Sequence, residues 1–414
     1  MHKNQVPFFR PYLDELELNE VLDTIRSGWL TSGAKVKRFE QEFATAVGAS
    51  HAVAVNSCTA ALHLALEAHG VKPGQGVLVP TMTFAATAAV VRYMGAIPIL
   101  VDCDPLTNNM DLLDAESKLA QLKAGKLQDG LPRDTPVVGM MPVHVGGMMM
   151  NIEAISSFAS THGLWVIEDA AHAFPSAWRK GPDEPWQRCG EGTAHVTCFS
   201  FYANKTITTG EGGMAVTEDA EIAARMRSMS LHGLSQNAWG RYSNSGSWDY
   251  KIVAPGYKYN LTDIAASIGI HQLTKAEKMR QMREEVASYY RKALASMEEI
   301  ELPAEDSNRI HSWHLFPIKL YLERLSITRN EFMERLKEDG VGCSVHWRPL
   351  HLHPYYQETF GWQPEDLPAA TAVWERTISL PLFPGMKDED VEHVIRTVRS
   401  ECARHARSYA AQLS

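Results

Sequence analysis

The chain has 414 residues, of which 45% are hydrophobic and 21% are charged, with 28 glycines and 21 prolines. This composition is typical of folded globular domains, and it excludes disordered, collagen-like and disulfide-scaffold classes. The formal net charge is −9, and the charges are interspersed without a basic block, which argues against a nucleic-acid partner.

The sequence shows no signal for export or for membrane insertion. Its first residues reach acidic positions before any apolar core, unlike a signal peptide. The most apolar stretch, 77–91, contains Pro80 and stops at Arg92, short of the roughly 20 apolar residues of a spanning helix. We therefore expect a cytoplasmic protein with no membrane partner. The six cysteines include no CxxC pair, so neither a zinc ribbon nor a disulfide framework is predicted.

From about residue 50, short β-branched runs alternate with longer helical patterns. The short runs predict buried strands at His51–Val55, Gly76–Val79, Ile97–Asp102, Pro136–Met141, Leu164–Asp169 and Val196–Phe201. The longer patterns predict helices at Thr59–His69, Thr83–Met94 and Asn151–His162. Such a βαβ series is typical of an α/β fold with a mainly parallel sheet and helices on both faces.

The order of elements changes after a long charged amphipathic helix, predicted over Lys275–Glu299. We interpret this helix as a connector between a large domain, residues 1–275, and a smaller C-terminal α/β domain, residues 276–414. The elements predicted for the smaller domain are a strand at Trp313–Tyr321, a helix opened by the capping box Thr328–Glu331, a strand near Gly342–His346 and a terminal helix from Lys387.

In an open α/β sheet, ligands bind at the carboxyl ends of the strands, so the residues after each strand are the first candidates for a site. Ser57, Cys58 and Thr59 follow the first strand and enter a helix N-terminus, where free N–H groups favour a phosphate. The alternative is that Ser57 is an ordinary N-cap. Phe84 follows the next strand and places an aromatic ring at the same edge, or else belongs to the core.

Two carboxylates, Glu168 and Asp169, close the strand Leu164–Asp169. A buried aspartate requires a cationic partner, and a protonated heterocyclic nitrogen would serve if the protein supplies none. His172, three residues later, is placed to contact the same ligand. A satisfied buried Asp–His pair is the alternative interpretation of these residues.

Lys205 follows the apolar strand Val196–Phe201 and precedes a glycine-rich turn. Desolvation lowers the pKa of such a lysine and exposes a nucleophilic amine, which makes Lys205 a candidate Schiff-base lysine. A solvated loop lysine is the common alternative. The co-occurrence of a phosphate cradle, an aromatic ring, a buried aspartate and this lysine at one sheet edge favours pyridoxal 5′-phosphate as cofactor.

Several motifs in order along the chain resemble the DegT/DnrJ/EryC1/StrS family of sugar aminotransferases, which have the aspartate-aminotransferase fold type I. The resemblance extends from about Phe8 to Val398. The motifs are Leu30–Gly33, Ala60–Leu66, Glu168–Ala173, Ser200–Gly213, Gly256–Asp263, Pro349–Pro354 and Leu380–Gly385.

The resemblance implies roles for individual residues. Lys205 matches the lysine that holds the cofactor and moves a proton between the amino donor's Cα and the cofactor's C4′. Asp169 matches the partner of the pyridine nitrogen, and His172 matches a position beside the ring hydroxyl where many members have Gln. Phe84 matches the stacking ring. Ser200, Thr59 and the backbone of Cys58 match the phosphate cradle. Many relatives have Gly at the position of Cys58.

The resemblance also implies a homodimer with shared active sites. Lys258 stands in the Gly-Tyr-x-Tyr motif whose central residue reaches the cofactor phosphate of the neighbouring subunit; a surface lysine is the alternative. Five further residues are candidates for contact with the substrate: Trp29, Thr31, His346, His351 and His353. The alternative for the three histidines is a structural role. No carboxylate stands at a ligand spacing from these histidines, so no metal site is predicted.

The function implied is transfer of an amino group from an amino acid, with L-glutamate as the implied donor, to a keto group of a nucleotide-linked deoxysugar. We identify no late arginine for the donor carboxylate. One alternative is a pyridoxal phosphate-dependent sugar dehydratase, but dehydratases of this resemblance group have His in place of the lysine. The other is a non-catalytic regulatory or binding protein on the same fold, which would not need the intact set of Lys205, Asp169 and phosphate cradle.

Overall fold

The structure is a computed structural model that describes residues 5–128, 131–132, 135–235 and 251–407. The helices of this part of the chain are α1 (Glu15–Ser27), α2 (Ala34–Val47), α3 (Cys58–Ala68), α4 (Ala86–Tyr93), α5 (Leu112–Lys123), α6 (Ile152–His162), α7 (Ala220–Met229), α8 (Asp263–Leu294), α9 (Arg329–Glu338), α10 (Pro354–Phe360), α11 (Pro368–Arg376) and α12 (Asp388–His405). The strands are β1 (His51–Val55), β2 (Gly76–Pro80), β3 (Ile97–Val101), β4 (Val137–Met140), β5 (Trp165–Asp169), β6 (Ala177–Trp178), β7 (Gln187–Arg188), β8 (Val196–Ser200), β9 (Gly213–Thr217), β10 (Ile300–Glu301), β11 (Arg309–Ile310), β12 (Phe316–Leu320) and β13 (Thr377–Leu380).

The central sheet confirms the α/β architecture predicted from the sequence. Its order is β1-β9-β8-β5-β4-β2-β3, and the neighbours from β8 to β3 are all parallel. The strand β9, which the sequence analysis did not identify, runs antiparallel to both β1 and β8. The sheet is therefore mainly parallel, and the carboxyl ends of β1, β2, β5 and β8 meet at one edge.

Apolar side chains cover both faces of this sheet, as expected for strands without a polar face. In β1, Ala52 and Ala54 belong to one core cluster, whereas Val53 and Val55 belong to the cluster on the opposite face. The helix α3 is buried along most of its length because its sequence is small and apolar. This two-sided burial fixes the strand ends where the candidate site residues lie.

A smaller antiparallel sheet, ordered β10-β12-β13, forms the centre of the C-terminal unit. Its apolar face packs with the buried sides of α9 and α12, and residues such as Phe316, Ile378 and Val394 form a third core cluster. The domain division near residue 275 stays a prediction, because α8 contacts α1 and α2 of the large unit as well as α12 of the small one.

The connecting helix was predicted at Lys275–Glu299, but α8 begins at Asp263 and ends at Leu294. The side chain of Thr262 caps the helix by accepting a hydrogen bond from the backbone N–H of Ala265. The first part of the helix is small and apolar and buries several residues, so it lacks the charged amphipathic pattern that identified the second part.

The prediction of a strand near Gly342–His346 was wrong. This segment forms isolated bridges instead, Val341 with Val6 and Ser344 with Ser379. The backbone N–H of Gly342 donates to Val6 O at 2.9 Å, and that of Ser344 donates to Ser379 O at 3.2 Å. The segment thus passes between the N-terminal residues and β13 without a continuous ladder to either.

The strand expected at Trp313–Tyr321 is shorter, because β12 begins at Phe316. Trp313 has a φ of 50°, which is incompatible with a strand. Helix α4 is also shorter than the predicted Thr83–Met94 and begins at Ala86. In the described part of the chain, we find no helix with the length and apolar composition needed to span a bilayer.

Candidate active site

A cavity of about 450 Å³ lies at the sheet edge where the carboxyl ends of β1, β2, β5 and β8 meet. Two walls enclose it. The sheet wall comes from the segments that follow these strands, and it contains Ser57, Cys58, Thr59, Phe84, Asp169, His172, Ser200 and Lys205. The loop wall comes from the C-terminal unit and consists of His314 and residues 344–347. The structure therefore brings the predicted cofactor residues together, except Lys258.

The N-terminus of α3 forms the part of the sheet wall nearest to β1. The Ser57 side chain caps this helix by accepting a hydrogen bond from the Ala60 N–H at 3.1 Å. Ser57 is thus both the N-cap of α3 and a residue of the cavity wall. Gly213, the first residue of β9, packs so closely that a Cβ there would lie 2.5 Å from Ser57 C. Glycine at this position lets β9 pass directly behind the helix N-terminus, whose free N–H groups favour an anion.

Asp169 is 5% exposed and lies at the end of β5. Its Oδ2 accepts a hydrogen bond from the Thr87 hydroxyl at 2.7 Å, and its Oδ1 accepts one from the Ala171 N–H at 3.1 Å. Burial raises the pKa of this carboxyl group. No described side chain forms an ion pair with Asp169, and the charge of Lys205 offsets only part of the effect of burial on the pKa of this carboxyl group.

Glu168 points to the opposite face of β5, as alternation along a strand requires. Its Oε2 accepts hydrogen bonds from the hydroxyls of Thr193 and Thr197, and its Oε1 lies 3.5 Å from His144 Nε2. His144, Glu168 and Cys189 form a fully buried group behind the sheet, with one ligand-type atom of each within 4.8 Å of the others. The two carboxylates of the Glu-Asp pair therefore have different surroundings, and only Asp169 faces the cavity.

Lys205 lies in the loop between β8 and β9. The loop is fixed by backbone hydrogen bonds from Phe201 N to Gly212 O at 2.9 Å and from Lys205 N to Tyr202 O at 2.9 Å. Burial of the side chain lowers the pKa of Lys205 to about 8, against a smaller opposing effect of the Asp169 carboxylate. A substantial fraction of this amine is therefore neutral, and nucleophilic, near pH 8.

The His172 ring is buried between the two walls. Its Nδ1 accepts a hydrogen bond from the Gly146 N–H at 3.2 Å, so the proton of the neutral ring is on Nε2. Burial and the charge of Lys205 hold the pKa of His172 well below its usual range. The ring stacks on Trp347 with a centroid distance of 5.1 Å. His172 thus offers a neutral N–H donor.

Phe84 and Ser200 border the cavity from β2 and β8. The Phe84 side chain is 62% exposed, which argues against a purely core role. The Ser200 hydroxyl accepts a hydrogen bond from the Tyr202 N–H at 3.4 Å. Both residues therefore present free surface to the cavity.

The residues proposed for substrate contact are dispersed. His346 lines the cavity, where its Nδ1 contacts Ser379 Oγ at 2.9 Å, and burial lowers the pKa of His346 to about 4. His351 is buried elsewhere, with Nδ1 on Thr81 Oγ1 and Nε2 on Thr371 Oγ1. Both ring nitrogens of His351 are therefore hydrogen-bonded away from the cavity, and its contact with substrate stays a prediction.

Three other predicted residues do not line the cavity. His353 Nε2 contacts Arg348 O at 3.3 Å, whereas Trp29 and Thr31 are exposed near the start of α2. Their contact with substrate stays a prediction. Lys258 is likewise exposed, with Nζ hydrogen-bonded to Asn260 Oδ1.

The sequence analysis did not identify His314 or Trp347. Both come from the C-terminal unit and reach the cavity only through the packing of that unit on the sheet. Neither follows a strand of the central sheet, so the rule that located the other candidates does not apply to them. The spacing of His311 and His314 does not by itself predict a binding or catalytic site.

Comparison with known proteins agrees with this geometry. The sequence profile of the DegT/DnrJ/EryC1/StrS aminotransferase family matches residues 11–399. The chain belongs to this family. The enzyme is similar to the spore coat polysaccharide biosynthesis protein SpsC of Bacillus subtilis (strain 168), with 43% identity over 395 residues that cover 95% of this chain and 96% of the relative.

Solved structures extend the comparison to the whole fold. The enzyme is similar to PseC of Helicobacter pylori, an aminotransferase involved in the biosynthesis of pseudoaminic acid, with a TM-score of 0.84 and 25% identity over 97% of this chain and 100% of that chain. It is also similar to the PLP-form of Spr1654 from Streptococcus pneumoniae, with a TM-score of 0.84 and 30% identity over 97% of this chain and 99% of that chain. The enzyme is a pyridoxal phosphate-dependent sugar aminotransferase.

Proposed function

We propose that the enzyme transfers the amino group of L-glutamate to a keto group of a nucleotide-linked deoxysugar in the cytoplasm. The single observation that carries the proposal is the placement of the Lys205 amine and the unpaired, buried Asp169 carboxylate in one cavity. Names of relatives add the sugar context, since SpsC takes part in polysaccharide biosynthesis and PseC in the biosynthesis of pseudoaminic acid.

The sheet wall fits the chemical groups of the cofactor. Asp169 would pair with the protonated pyridine nitrogen, which would supply the cation that its burial requires. The N-terminus of α3, from Ser57 to Thr59, together with Ser200, would bind the phosphate. The exposed ring of Phe84 would stack on the heterocycle.

When bound, pyridoxal phosphate supplies an aldehyde carbon for the amino group and a ring that accepts an electron pair. The protein's part is to hold the reactants and to move protons. In the proposed reaction, the Lys205 Nζ would take a proton from Cα of the donor and deliver it to the cofactor's C4′, and it would move a proton in the reverse direction for the sugar. Its pKa of about 8 suits both directions, since a group that must accept and release a proton is most effective near the working pH.

His172 would donate its Nε2–H to the ring hydroxyl of the cofactor. The hydrogen bond from Gly146 N to Nδ1 fixes the tautomer that makes this donation possible. Stacking on Trp347 fixes the plane of the ring. A neutral donor orients the cofactor without adding a positive charge that would compete for Asp169.

We include in the proposal a homodimer with shared active sites. The helix α1 carries apolar side chains, Leu16, Leu18, Leu22 and Ile25, with exposed fractions of 37% to 53%. Such a surface is unusual for a monomer and fits a self-complementary interface. Lys258 is exposed and outside its own cavity, a position that is compatible with contact to the cofactor phosphate of a second subunit.

A mixed-dimer experiment tests the shared site. Lys205→Ala and Lys258→Ala proteins, each inactive alone, are unfolded together and refolded as a mixture. If the two lysines meet across the interface, half of the dimers are mixed and each has one intact site, so activity should return to about a quarter of wild type. If native mass spectrometry shows mixed dimers but no activity returns, Lys258 acts in the active site of its own subunit. An active Lys258→Ala protein would remove it from the site.

The transfer itself is tested in two half-reactions. Stoichiometric enzyme with L-glutamate should release one equivalent of 2-oxoglutarate per site and shift the cofactor to its amine form. Addition of a nucleotide-linked 4-keto-6-deoxysugar should regenerate the starting spectrum, with an amino sugar product identified by mass spectrometry. A first step that proceeds only with another amino acid would overturn the donor assignment. A second step that proceeds only with an unlinked sugar would overturn the nucleotide linkage.

A further inference from the structure

The loop wall contains an imidazole with no partner. His314 is 5% exposed and lines the cavity, yet both of its ring nitrogens are buried without a hydrogen bond within the described residues. The other two cavity histidines each have one nitrogen satisfied, His172 by Gly146 N and His346 by Ser379 Oγ. Because a buried polar atom without a partner is costly, the His314 ring is suited to a ligand that completes its hydrogen bonds.

The backbone around His314 is held in a fixed position. The N–H groups of His314 and Leu315 both donate to Gly146 O, at 3.0 and 3.3 Å. The Ser312 hydroxyl donates to His172 O at 2.6 Å, and Gly147 approaches so closely that a Cβ there would lie 1.8 Å from Ser312 Oγ. The segment is thus fastened to the sheet side of the cavity at several points.

Trp313 shows that this position is costly to maintain. Its φ of 50° lies in the left-handed region, which is strained for a bulky residue. The conformation turns consecutive side chains in different directions: Trp313 packs in the core of the C-terminal unit, while His314 faces the cavity. Strain of this kind persists where the surrounding structure requires it, and it is concentrated at functional sites.

His314 lies on the loop wall, opposite the proposed phosphate ligands. Its ring packs on His172, the proposed partner of the cofactor's ring hydroxyl, with a centroid distance of 4.2 Å. The proposed phosphate ligands, Ser57–Thr59 and Ser200, all belong to the sheet wall. The free N–H groups of the α3 N-terminus serve the phosphate there, so the phosphate does not require His314.

The amino donor brings a carboxylate that has no evident partner. Its α-carboxylate is bonded to the same carbon from which Lys205 is proposed to take a proton. Among the described residues that line the cavity, Lys205 is the only cation and none is an arginine. A carboxylate accepts hydrogen bonds but cannot donate them, so it requires N–H or O–H groups. His314 offers an N–H that is not already used.

We propose that His314 binds the α-carboxylate of the amino donor through an imidazole N–H. The inference rests on the proposed aminotransferase function and adds a substrate contact to it. Burial, with the neighbouring His172 and Lys205, keeps the pKa of His314 well below its usual range, so the ring enters as a neutral donor. His314 is accordingly a residue for the donor half-reaction and not for the sugar.

The test compares two ligands that differ in this carboxylate. α-Methyl-L-glutamate has the α-carboxylate but no hydrogen on Cα, and 4-aminobutyrate lacks the α-carboxylate. Binding of each to the cofactor-loaded enzyme is measured by titration calorimetry. His314→Leu should weaken α-methyl-L-glutamate binding by about 10- to 100-fold, the range for a hydrogen bond to a charged group, with 4-aminobutyrate binding changed by less than about 3-fold. His314→Gln, which keeps an N–H donor, should recover most of the affinity.

His311→Asn is the matched control, since His311 is three residues away on the same segment and outside the cavity wall, and the asparagine oxygen can still accept the hydrogen bond that His311 Nδ1 accepts from the Trp313 N–H at 2.8 Å. It should not distinguish the two ligands. Equal weakening of both ligands by His314→Leu, or a loss confined to the sugar half-reaction, would overturn the proposal. If His314→Gln gave either of these two results as well, misfolding of the leucine variant would be excluded as the cause. Failure of the wild-type enzyme to bind α-methyl-L-glutamate would instead overturn the glutamate donor and this contact together.

Discussion

The two walls of the cavity differ in how their residues are positioned. Each functional side chain of the sheet wall lies within a few residues of a strand end, such as Asp169 at the end of β5 and Lys205 shortly after β8. The loop wall depends on contacts between the C-terminal unit and the sheet, such as those of His314 with Gly146. The sheet wall is therefore suited to hold a cofactor rigidly, and the loop wall to vary with the substrate. We therefore expect changes in the sheet wall to affect the chemical steps and changes in the loop wall to affect substrate binding.

The largest expected effect is that of Lys205→Ala. Turnover should fall by about 10⁴-fold or more, because both proton transfers lose their carrier. The cofactor should still bind without a covalent link, since Asp169 and the α3 N-terminus remain. Cofactor content of the denatured protein and single-turnover absorbance measure the two effects. Lys180→Ala, a change to an exposed lysine paired with Glu153, is the control and should leave both unchanged. Loss of cofactor together with activity would mean that Lys205 is mainly a binding residue.

Asp169→Asn should slow the chemical step on the order of 100-fold, because removing one partner of a buried ion pair costs about 3 kcal/mol or more. The affinity for the sugar should change far less. The control is Asp102→Asn, another buried aspartate, whose oxygens accept hydrogen bonds from Ala369 N and Ala370 N away from the cavity. It should lower the melting temperature without a kinetic effect. Equal losses of rate and affinity in Asp169→Asn would indicate a structural role.

The low pKa of Lys205 predicts a pH dependence in the protein without cofactor. Competitive acetylation followed by peptide mass spectrometry should show half-maximal reactivity of Lys205 near pH 8, since only the neutral amine reacts. Reactivity should rise with pH through this value, and Lys180 should titrate at a much higher pH. In Asp169→Asn the midpoint should move down, because the carboxylate opposes the effect of burial. A midpoint for Lys205 equal to that of Lys180 would contradict its desolvation.

The smallest effect is expected at His172, where the two walls meet. His172→Gln keeps a neutral N–H donor, so kcat should fall by less than about 10-fold. His172→Leu, which removes the donor, should have a clearly larger effect and shift the absorbance maximum of the bound cofactor. Complete inactivation by glutamine would mean that His172 transfers a proton in the reaction.

The same two walls mark the extent of sequence-based prediction. Asp169 and Lys205 were identified because each closes or follows an apolar strand, a pattern that lies within a few residues of sequence. His314 was not identified, because its position depends on the positive φ of Trp313 and on the close approach of Gly147 from another unit. The strand β9 was missed for a related reason, since its antiparallel insertion between β1 and β8 is decided by tertiary pairing.

The central claim is that Lys205 forms the covalent link with pyridoxal phosphate. Borohydride reduction of the purified enzyme, followed by proteolysis and peptide mass spectrometry, tests it most directly. We predict a pyridoxyl mass on the peptide containing Lys205, at one label per subunit, and none on this peptide after prior conversion of the cofactor to its amine form. A label on any other lysine, or no label after incubation with the cofactor, would contradict the account.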